Sequence, residues 1–354
     1  MSHAASQAYL NTRVSVMSTQ LLQPGELLDL AQLGMPELAE RLSLGTLVDD
    51  QTNTRTKSRA VEQAMVSLLL SDLTILMRPM SSAERALMMA WGRKFALFNL
   101  KALIRGKLFD LDAKEIRENL YDLPPGFRLP HQELFRAENV LELLRQLEDG
   151  PHASVARQAR EAYEQRREPF ALEAAVDQRY YSGLARQVMQ FYDANLQALQ
   201  HLVGTVLDQV DLLWLLRFRF AYNLSPSEAF YQLVPSSRLL HRERLLELVN
   251  LDSFERVLEA LPPPLDSLLG DSMHLIDVQR RMGRYLAAEA RRVLGHSPSA
   301  VARALAYMIL RESNLRTLFS LVQGRLLQLP GEIVQIACEL AEPACPLGVV
   351  ARAA

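Results

Sequence analysis

The sequence predicts an all-α fold built from a repeated helical module. Apolar residues recur at intervals of three and four along most of the 354-residue chain, for example from Leu184 to Leu207. Alternating period-two runs bounded by glycine or Asn-Gly turns are missing, and good helix formers such as Leu, Ala, Arg, Glu and Gln are abundant. In addition, one helical stretch recurs twice further along the chain.

The three copies of this stretch begin at Asn99, Asp211 and Thr317. The first copy aligns with the other two without gaps, so that Leu100 falls on Leu212 and on Leu318. A separate block, LLDLAQL, falls on LLELVNL at the same offset that relates the first copy to the third. Leucine-rich helices align easily by chance, so two blocks at one offset weigh more than one. We therefore predict three helical repeat domains, at residues 1–124, 125–236 and 237–354.

Each module is predicted to be a helix, a short turn and a second helix. The first helix closes with cationic residues, which suit its negative C-terminal end. Gly106 and Gly324 occupy equivalent positions and are expected to help the helix end, because glycine tolerates a left-handed φ. Capping boxes then start the second helix in DAKE from Asp112 and SPSE from Ser225, and PGEI from Pro330 is a degraded version.

Composition limits the partners and the location. The formal net charge is −2, so no global field favours nucleic acid or an anionic membrane. The only cysteines are Cys338 and Cys345, and the start of the chain has no apolar stretch typical of a secretory leader, which together indicate a reducing, cytoplasmic-side location. We expect no membrane span, because the most apolar stretch, AMVSLLLSDLTILM, is interrupted by Asp72.

Motifs for catalysis, cofactors or metals are not found in the sequence. RGKL from Arg105 lacks the upstream glycine and the following Ser or Thr of a phosphate-binding loop. The two cysteines are seven residues apart without a nearby histidine, so zinc ligation is not expected and Cys338 is interpreted as a core residue. Asp208 and Asp211 share a helical face, which suits acid–base chemistry, but solvated or salt-bridged helix residues explain them at least as simply.

Cations recur at equivalent places near the end of each repeated helix. If a threefold rotation relates the modules, these cations form a ring that could contact acidic groups of a partner. The alternative is that they complement helix dipoles and form ion pairs within the chain. The candidate partner-interface residues are Arg105, Lys107, Arg217, Arg219 and Arg325.

Several of these segments resemble the C subunits of the archaeal and bacterial A/V-type ATPases, the counterparts of the d subunit of eukaryotic V-ATPases. The resemblance extends over essentially the whole chain. It rests on AYLNTRVSVMSTQLL, NLKALIRGK, ALEAAVDQRYYSGL, QVDLLWLLRFRFAYNLSPSEA and, most specifically, LAYMILRESNLRTLFSLVQGRLLQLPGEI. Thr317 and Phe319 depart from the Asn and Arg of the family's last motif, which puts specific polar contacts there in doubt and leaves the apolar frame intact.

The resemblance implies three similar helical domains around a pseudo-threefold axis, forming a funnel. It further implies a non-catalytic, cofactor-free central-stalk subunit that lies peripherally on the cytoplasmic face of the membrane. The funnel would sit on the ring of ion-translocating rotor subunits and receive the tip of the rotor shaft, while the isolated chain is expected to be a monomer. Two other classes stay open: a generic all-helical scaffold or adaptor unrelated to ATPases, and an all-α enzyme whose site has no recognisable motif.

Overall fold

The computed structural model describes residues 3–51, 53–150, 152–166 and 169–341. These ranges contain helices and connecting turns and no β-strand, which confirms the all-α prediction. The α-helices are α1 His3–Ser18, α2 Pro24–Gln32, α3 Met35–Arg41, α4 Gly45–Asp49, α5 Thr54–Met77, α6 Ser82–Gly92, α7 Lys94–Leu108, α8 Ala113–Glu118, α9 His131–Arg136, α10 Val140–Gln146, α11 Ala153–Arg166, α12 Pro169–Val188, α13 Asp193–Leu216, α14 Pro226–Gln232, α15 Arg242–Val249, α16 Phe254–Glu259, α17 Leu265–Leu269, α18 Leu275–His296, α19 Ala300–Leu326 and α20 Gly331–Ala341.

The three copies of the repeated stretch form the C-terminal parts of α7, α13 and α19. A π-helical turn at Arg217–Ala221 continues α13, and a 3-10 turn at Pro125–Phe127 follows α8. Each repeated helix is followed by a tight turn and then by a second helix, α8, α14 or α20. The predicted unit of helix, short turn and helix is therefore present in each copy.

The residues that end the repeated helices are not the glycines. The described part of the chain has no glycine with a positive φ, and the left-handed residues of the three turns are Asp110, Asn223 and Gln328, with φ of 51°, 53° and 52°. In the first turn the amide of Leu111 donates to the carbonyl oxygen of Gly106 at 2.9 Å, a bond that closes a helix end. The expectation that Gly106 and Gly324 stop the helix through a left-handed φ is wrong.

Close packing explains the two glycines instead. A Cβ on Gly106 would stand 2.4 Å from Cγ1 of Ile116 on α8, and a Cβ on Gly324 would stand 2.4 Å from Cγ2 of Val334 on α20. Both contacts join residues ten apart, and the offset that places Gly106 on Gly324 also places Ile116 on Val334. The missing side chain lets the second helix of the module lie directly on the first.

The second module solves the same problem differently. Its equivalent residue is Phe218, and both Phe218 and Ala229 on α14 are buried in one hydrophobic cluster. The π-helical turn adds one residue to the helix end, so the left-handed Asn223 comes one position later than the residue that aligns with Asp110. A large residue on the first helix thus accompanies a small residue on the second, the reverse of the first and third modules.

The capping boxes predicted from DAKE and SPSE are present. Asp112 accepts the amide of Glu115 at 2.8 Å, and Ser225 accepts the amide of Glu228 at 3.3 Å. Pro226 occupies the first helical position of α14, where its missing N–H costs no hydrogen bond. These boxes fix where α8 and α14 begin.

Long helices pack in antiparallel pairs that link the modules. On α7 and α12, Lys101 pairs with Asp177 and Arg105 pairs with Glu173, so residue numbers rise on one helix as they fall on the other. Between α13 and α18, His201 contacts Glu289 and Arg217 contacts Gln279, so these two helices are antiparallel as well. On α5 and α19, Asp72 accepts hydrogen bonds from Tyr307 at 3.0 Å and Arg311 at 3.2 Å. The last repeated helix therefore packs against a helix of the first module.

By length and composition, α5 could cross a membrane, contrary to the prediction from sequence. Asp72 does not interrupt it, because the helix runs through this residue without a break. Half of its most apolar window is buried inside the protein, and Asp72 lies there with polar partners on α19. This burial is typical of a core helix.

Candidate functional site

A central cavity of about 430 Å³ lies between helices of all three predicted modules. Helices α5, α7, α12, α13 and α19 contribute to its wall. The residues from α7 and α19 occupy equivalent repeat positions: Lys94, Leu97, Phe98 and Lys101 on one helix, and Glu312, Leu315, Arg316 and Phe319 on the other. Helices α7 and α19 thus present the same face to one shared space, and α13 adds Trp214 to its wall.

An ion cluster lies at the inner end of this cavity. Lys94 forms an ion pair with Glu312, and Arg316 forms a second ion pair with the same carboxylate. The Lys94 ammonium also lies 3.7 Å from the ring centre of Trp91. Burial lowers the pKa of Lys94 to about 8 despite the opposing charge of Glu312. Burial favours the neutral form of Glu312, but Arg316 and Lys94 outweigh it and hold its pKa below the usual value.

A second, narrower cavity of about 200 Å³ lies beyond the ion cluster. Its wall includes Lys94, Glu312 and Arg316 again, together with Val206 of α13 and Leu305 of α19. These last two residues come before Trp214 and Phe319, residues of the same two helices that line the wide cavity. The two spaces therefore follow one another along the repeated helices, with the ion cluster between them.

Aromatic side chains form much of the wall of the wide cavity. Tyr181 packs edge-on against Tyr180, with ring centres 4.9 Å apart, and against Trp214, with ring centres 5.6 Å apart. Burial raises the pKa of both tyrosines above the usual value, so their hydroxyls stay neutral at any physiological pH. Aromatic walls with a few polar groups are typical of surfaces that bind a partner or ligand.

The structure places the predicted interface residues Arg105 and Arg217 at equivalent contacts. Nε and Nη2 of Arg105 donate to the two carboxylate oxygens of Glu173 at 2.5 and 2.6 Å, and the Arg105 side chain is 55% exposed. This hydrogen bond raises the pKa of Arg105. Arg217 donates to the amide oxygen of Gln279 at 3.4 Å, which is a weaker neutral contact. Each arginine thus contacts a long helix of the following module, α12 for Arg105 and α18 for Arg217.

The other three predicted cations bind the C-terminal ends of short helices. Lys107 donates to the carbonyl of Phe135 on α9 at 2.9 Å, and Arg219 donates to the carbonyl of Val249 on α15 at 2.8 Å. Arg325 donates to the carbonyl of Ala31 on α2 at 2.5 Å, and Ala31 aligns with Val249 at the offset between the first and third modules. These contacts match the alternative in which the cations complement helix dipoles within the chain.

Asp208 and Asp211 both lie fully buried inside the protein, so neither is a solvated helix residue. Asp208 is salt-bridged, with Arg238 3.3 Å away, and it accepts the hydroxyl of Ser236 at 2.5 Å. The interpretation of Asp211 as a solvated or salt-bridged residue is wrong. One carboxylate oxygen of Asp211 accepts the amide N–H of Val234 at 2.8 Å, and the other has no hydrogen-bond partner among the described residues. Burial raises the pKa of Asp211 well above the usual value.

Cys338 is buried, as predicted, and Cys345 lies outside the described residues. Within the described ranges, no group of three or more His, Cys, Asp or Glu side chains could hold a metal ion.

Sequence reasoning did not identify the central ion cluster. Lys94 and Glu312 are equivalent at the offset that relates the first module to the third, and they have opposite charges. Extending the repeat alignment from Lys101 by seven residues towards the N-terminus would have shown that Lys94 and Glu312 are equivalent. It would not have shown that they contact each other, because that contact forms only when the first and third modules pack together.

Comparison with known proteins gives a consistent result. The family described as "ATP synthase (C/AC39) subunit" matches residues 10–335. The C subunit of the A-type ATP synthase of Methanocaldococcus jannaschii is 22% identical over 345 residues, which include 94% of this chain and 86% of the relative. The corresponding protein of Methanosarcina mazei is 22% identical over 342 residues, with 94% and 92% aligned, and that of Methanosarcina barkeri is 23% identical over 338 residues, with 92% and 91% aligned.

Proposed function

Because this chain belongs to the ATP synthase (C/AC39) subunit family, we propose that it lies in the central stalk of an A/V-type ATP synthase and couples the rotor shaft to the membrane ring. In this function it catalyses nothing itself and transmits torque for ATP-linked transport of H⁺ or Na⁺. It binds peripherally on the cytoplasmic face of the membrane complex, and it is a monomer when isolated.

The central cavity carries this proposal. A seat for the end of a shaft has to be concave, and it has to lie on the rotation axis. The cavity of about 430 Å³ is lined by the same face of α7 and α19 and by Trp214 of α13, so residues of all three repeated helices surround the proposed seat. Its wall is largely aromatic, and its charged groups form ion pairs within the chain, such as Lys101 with Asp177 and Lys94 with Glu312, so a partner with an apolar tip could enter without leaving a buried charge unpaired.

The contacts between modules support a pseudo-threefold, funnel-like arrangement of domains at residues 1–124, 125–236 and 237–354. The first module packs on the second through α7 and α12, and the second packs on the third through α13 and α18. The third module packs back on the first through α19 and α5. The cation contacts of Lys107, Arg219 and Arg325 follow the same order. A chain closed in this way has no free end module, unlike an open solenoid adaptor.

Stiffness is what torque transmission demands of such a part. Close-packed helices deform little, because their interiors are as dense as organic crystals. The closure between the first and third modules adds hydrogen bonds between distant parts of the sequence, such as Asn314 with the amide of Leu22 at 2.9 Å. Twisting the ring of modules therefore has to break contacts along every seam.

Affinity purification from detergent-solubilised membranes tests the proposal. A tagged chain should bring down the catalytic, shaft and ring subunits of the ATPase, and the purified chain alone should be monomeric and should not hydrolyse ATP. A chain that stays monomeric in the same extract, with no ATPase subunit bound, would refute the proposal. Membranes with this gene deleted provide the control, and adding the purified chain should restore coupling between ATP hydrolysis and ion transport.

A further inference from the structure

An open pocket of about 740 Å³ lies between α8 and α9, apart from the central cavity. Its wall carries three arginines from three segments: Arg117 on α8, Arg128 in the link between the two helices, and Arg136 at the end of α9. All three residues are exposed, so the pocket opens to solvent. Asp122 is the one carboxylate among the described residues of the wall, so positive charges there exceed negative charges by two.

The repeated module does not need these arginines. Arg117 directly follows Ile116, the residue of α8 that packs on the repeated helix, and Arg136 directly follows the α9 carbonyl that Lys107 binds. The residues at the equivalent positions of α14, α20, α15 and α2 are uncharged: Phe230, Gln335, Asn250 and Gln32. The positive charge of this pocket is therefore particular to one copy of the module and has no part in its packing.

Contacts inside the chain leave most guanidinium donors of the pocket available. Arg136 forms no hydrogen bond or ion pair with any residue of the described ranges. Arg128 donates through Nε to a backbone carbonyl of the link at 2.6 Å, and its ion pair with Asp122 is exposed and therefore weak. The guanidinium carbon of Arg117 lies 4.9 Å from the centre of the Phe135 ring, a contact that uses none of its N–H donors.

We propose that this pocket binds a nucleoside diphosphate or triphosphate. The planar fork of an arginine donates two N–H groups to two phosphate oxygens, and three arginines from separate segments suit a chain of phosphates better than a single one. A single inorganic phosphate is far smaller than the pocket, whose volume lies in the range that holds a small organic ligand. Leu120 and the stacked pair of Arg117 and Phe135 give the base an apolar and planar surface.

Such a site needs no glycine-rich loop, because side chains and not backbone amides would bind the phosphates. Arg117 belongs to the first predicted module, whereas Arg128 and Arg136 belong to the second. A bound nucleotide would therefore connect α8 to α9 across the link at 119–130. We expect bound ATP to slow hydrogen exchange of the backbone amides in this link, because ligand binding stabilises the folded arrangement.

Isothermal titration calorimetry of the purified full-length chain tests the proposal, with ATP, ADP, pyrophosphate and adenosine as ligands. ATP and ADP should bind at one site, pyrophosphate should bind about tenfold more weakly, and adenosine should give no measurable binding. Arg117→Gln and Arg136→Gln should each weaken ATP binding by about tenfold or more. Arg145→Gln is the matched control, because Arg145 is exposed in the last turn of α10, as Arg136 is in α9, and does not line the pocket.

All of these substitutions replace exposed residues, and urea unfolding checks that each variant folds like the wild type. Absence of ATP binding to the wild type would overturn the proposal, and so would equal weakening by Arg145→Gln, which would indicate attraction to net charge alone. Pyrophosphate binding as tight as that of ATP would exclude the base from the pocket. A polyglutamate peptide that binds where ATP does not would show a docking site for an acidic protein segment instead. These results do not depend on the central-stalk function, since binding is measured on the isolated chain.

Discussion

Gly324 lies so close to Val334 that a side chain at this position has no room. A Cβ would stand 2.4 Å from Cγ2, 3.0 Å from Cγ1 and 3.2 Å from Cβ of Val334. Rotating the valine cannot relieve the contact, because its Cβ is already too near. The same relationship joins Gly106 to Ile116, so the first and third modules share one mode of packing.

Gly324→Ala is therefore expected to destabilise the protein by about 1–3 kcal/mol, the usual cost of overpacking a core. The effect should appear as a lower urea midpoint with an unchanged slope. Gly183→Ala provides the matched control, since Gly183 lies within α12 with no neighbouring atom in reach of an added Cβ. The control should be stabilised by about 0.5–1 kcal/mol, as alanine is the better helix former. Equal effects of the two substitutions would show that the contact with Val334 has no cost.

Asp211 should make stability depend on pH. Burial raises its pKa in the folded state, so above the unfolded-state value of about 3.9 the unfolded chain releases this proton more readily than the folded chain does. The stability contributed by this group is present at low pH and is lost as pH rises. Asp211→Asn should remove that loss, so the variant should be more stable than the wild type at pH 8, with little difference near pH 4. Chemical denaturation across this range measures both curves.

Asp208→Asn is the contrasting variant. Asp208 accepts hydrogen bonds from Ser236 and the amide of Leu240, and it pairs with Arg238. Removing its charge leaves Arg238 without its carboxylate, which should cost about 3–5 kcal/mol. A stabilising effect of Asp208→Asn, or a destabilising effect of Asp211→Asn at pH 8, would contradict this account.

The ion cluster in the cavity should behave as a coupled unit. Glu312→Gln leaves the buried Lys94 facing Arg316 without a carboxylate and should cost about 3–5 kcal/mol. Lys94→Met should cost less, because Arg316 still pairs with Glu312. The double variant should be more stable than the sum of the single effects predicts, by about 0.5–3 kcal/mol. Additive effects in thermal or urea unfolding would mean that the two groups do not interact.

Arg217 is the predicted interface residue with the weakest contact inside the chain. Its hydrogen bond to Gln279 is 3.4 Å long, so its charge is available to a partner. We expect Arg217→Glu to weaken rebinding of the purified chain to a depleted ATPase complex by roughly tenfold at low salt, and by less at high salt. Arg256→Glu is the control, because Arg256 is 60% exposed and pairs with the neighbouring Asp252 of its own segment. Rebinding at wild-type affinity at both salt concentrations would exclude Arg217 from the interface.

Parts of the candidate site could be predicted from sequence and parts could not. The equivalence of Arg105 with Arg217, like that of the cations that follow them, was readable because helical segments align without gaps. Their partners were not readable, since residues such as Glu173 come from other modules and approach only in the folded chain. The aromatic cavity escaped notice for the same reason, because Trp214 and Phe319 lie on separate helices.

The sequence by itself determined the helices, their repetition and the starts of α8 and α14. These features depend on local spacing and on caps such as Asp112 and Ser225, which act within one turn of helix. Only the tertiary structure decided why Gly106 and Gly324 are glycine, which cations bind helix ends, and that Asp211 is buried with one carboxylate oxygen unpartnered among the described residues. Those outcomes depend on the distance and solvent exposure of side chains far apart in the sequence, and a linear pattern does not contain either quantity.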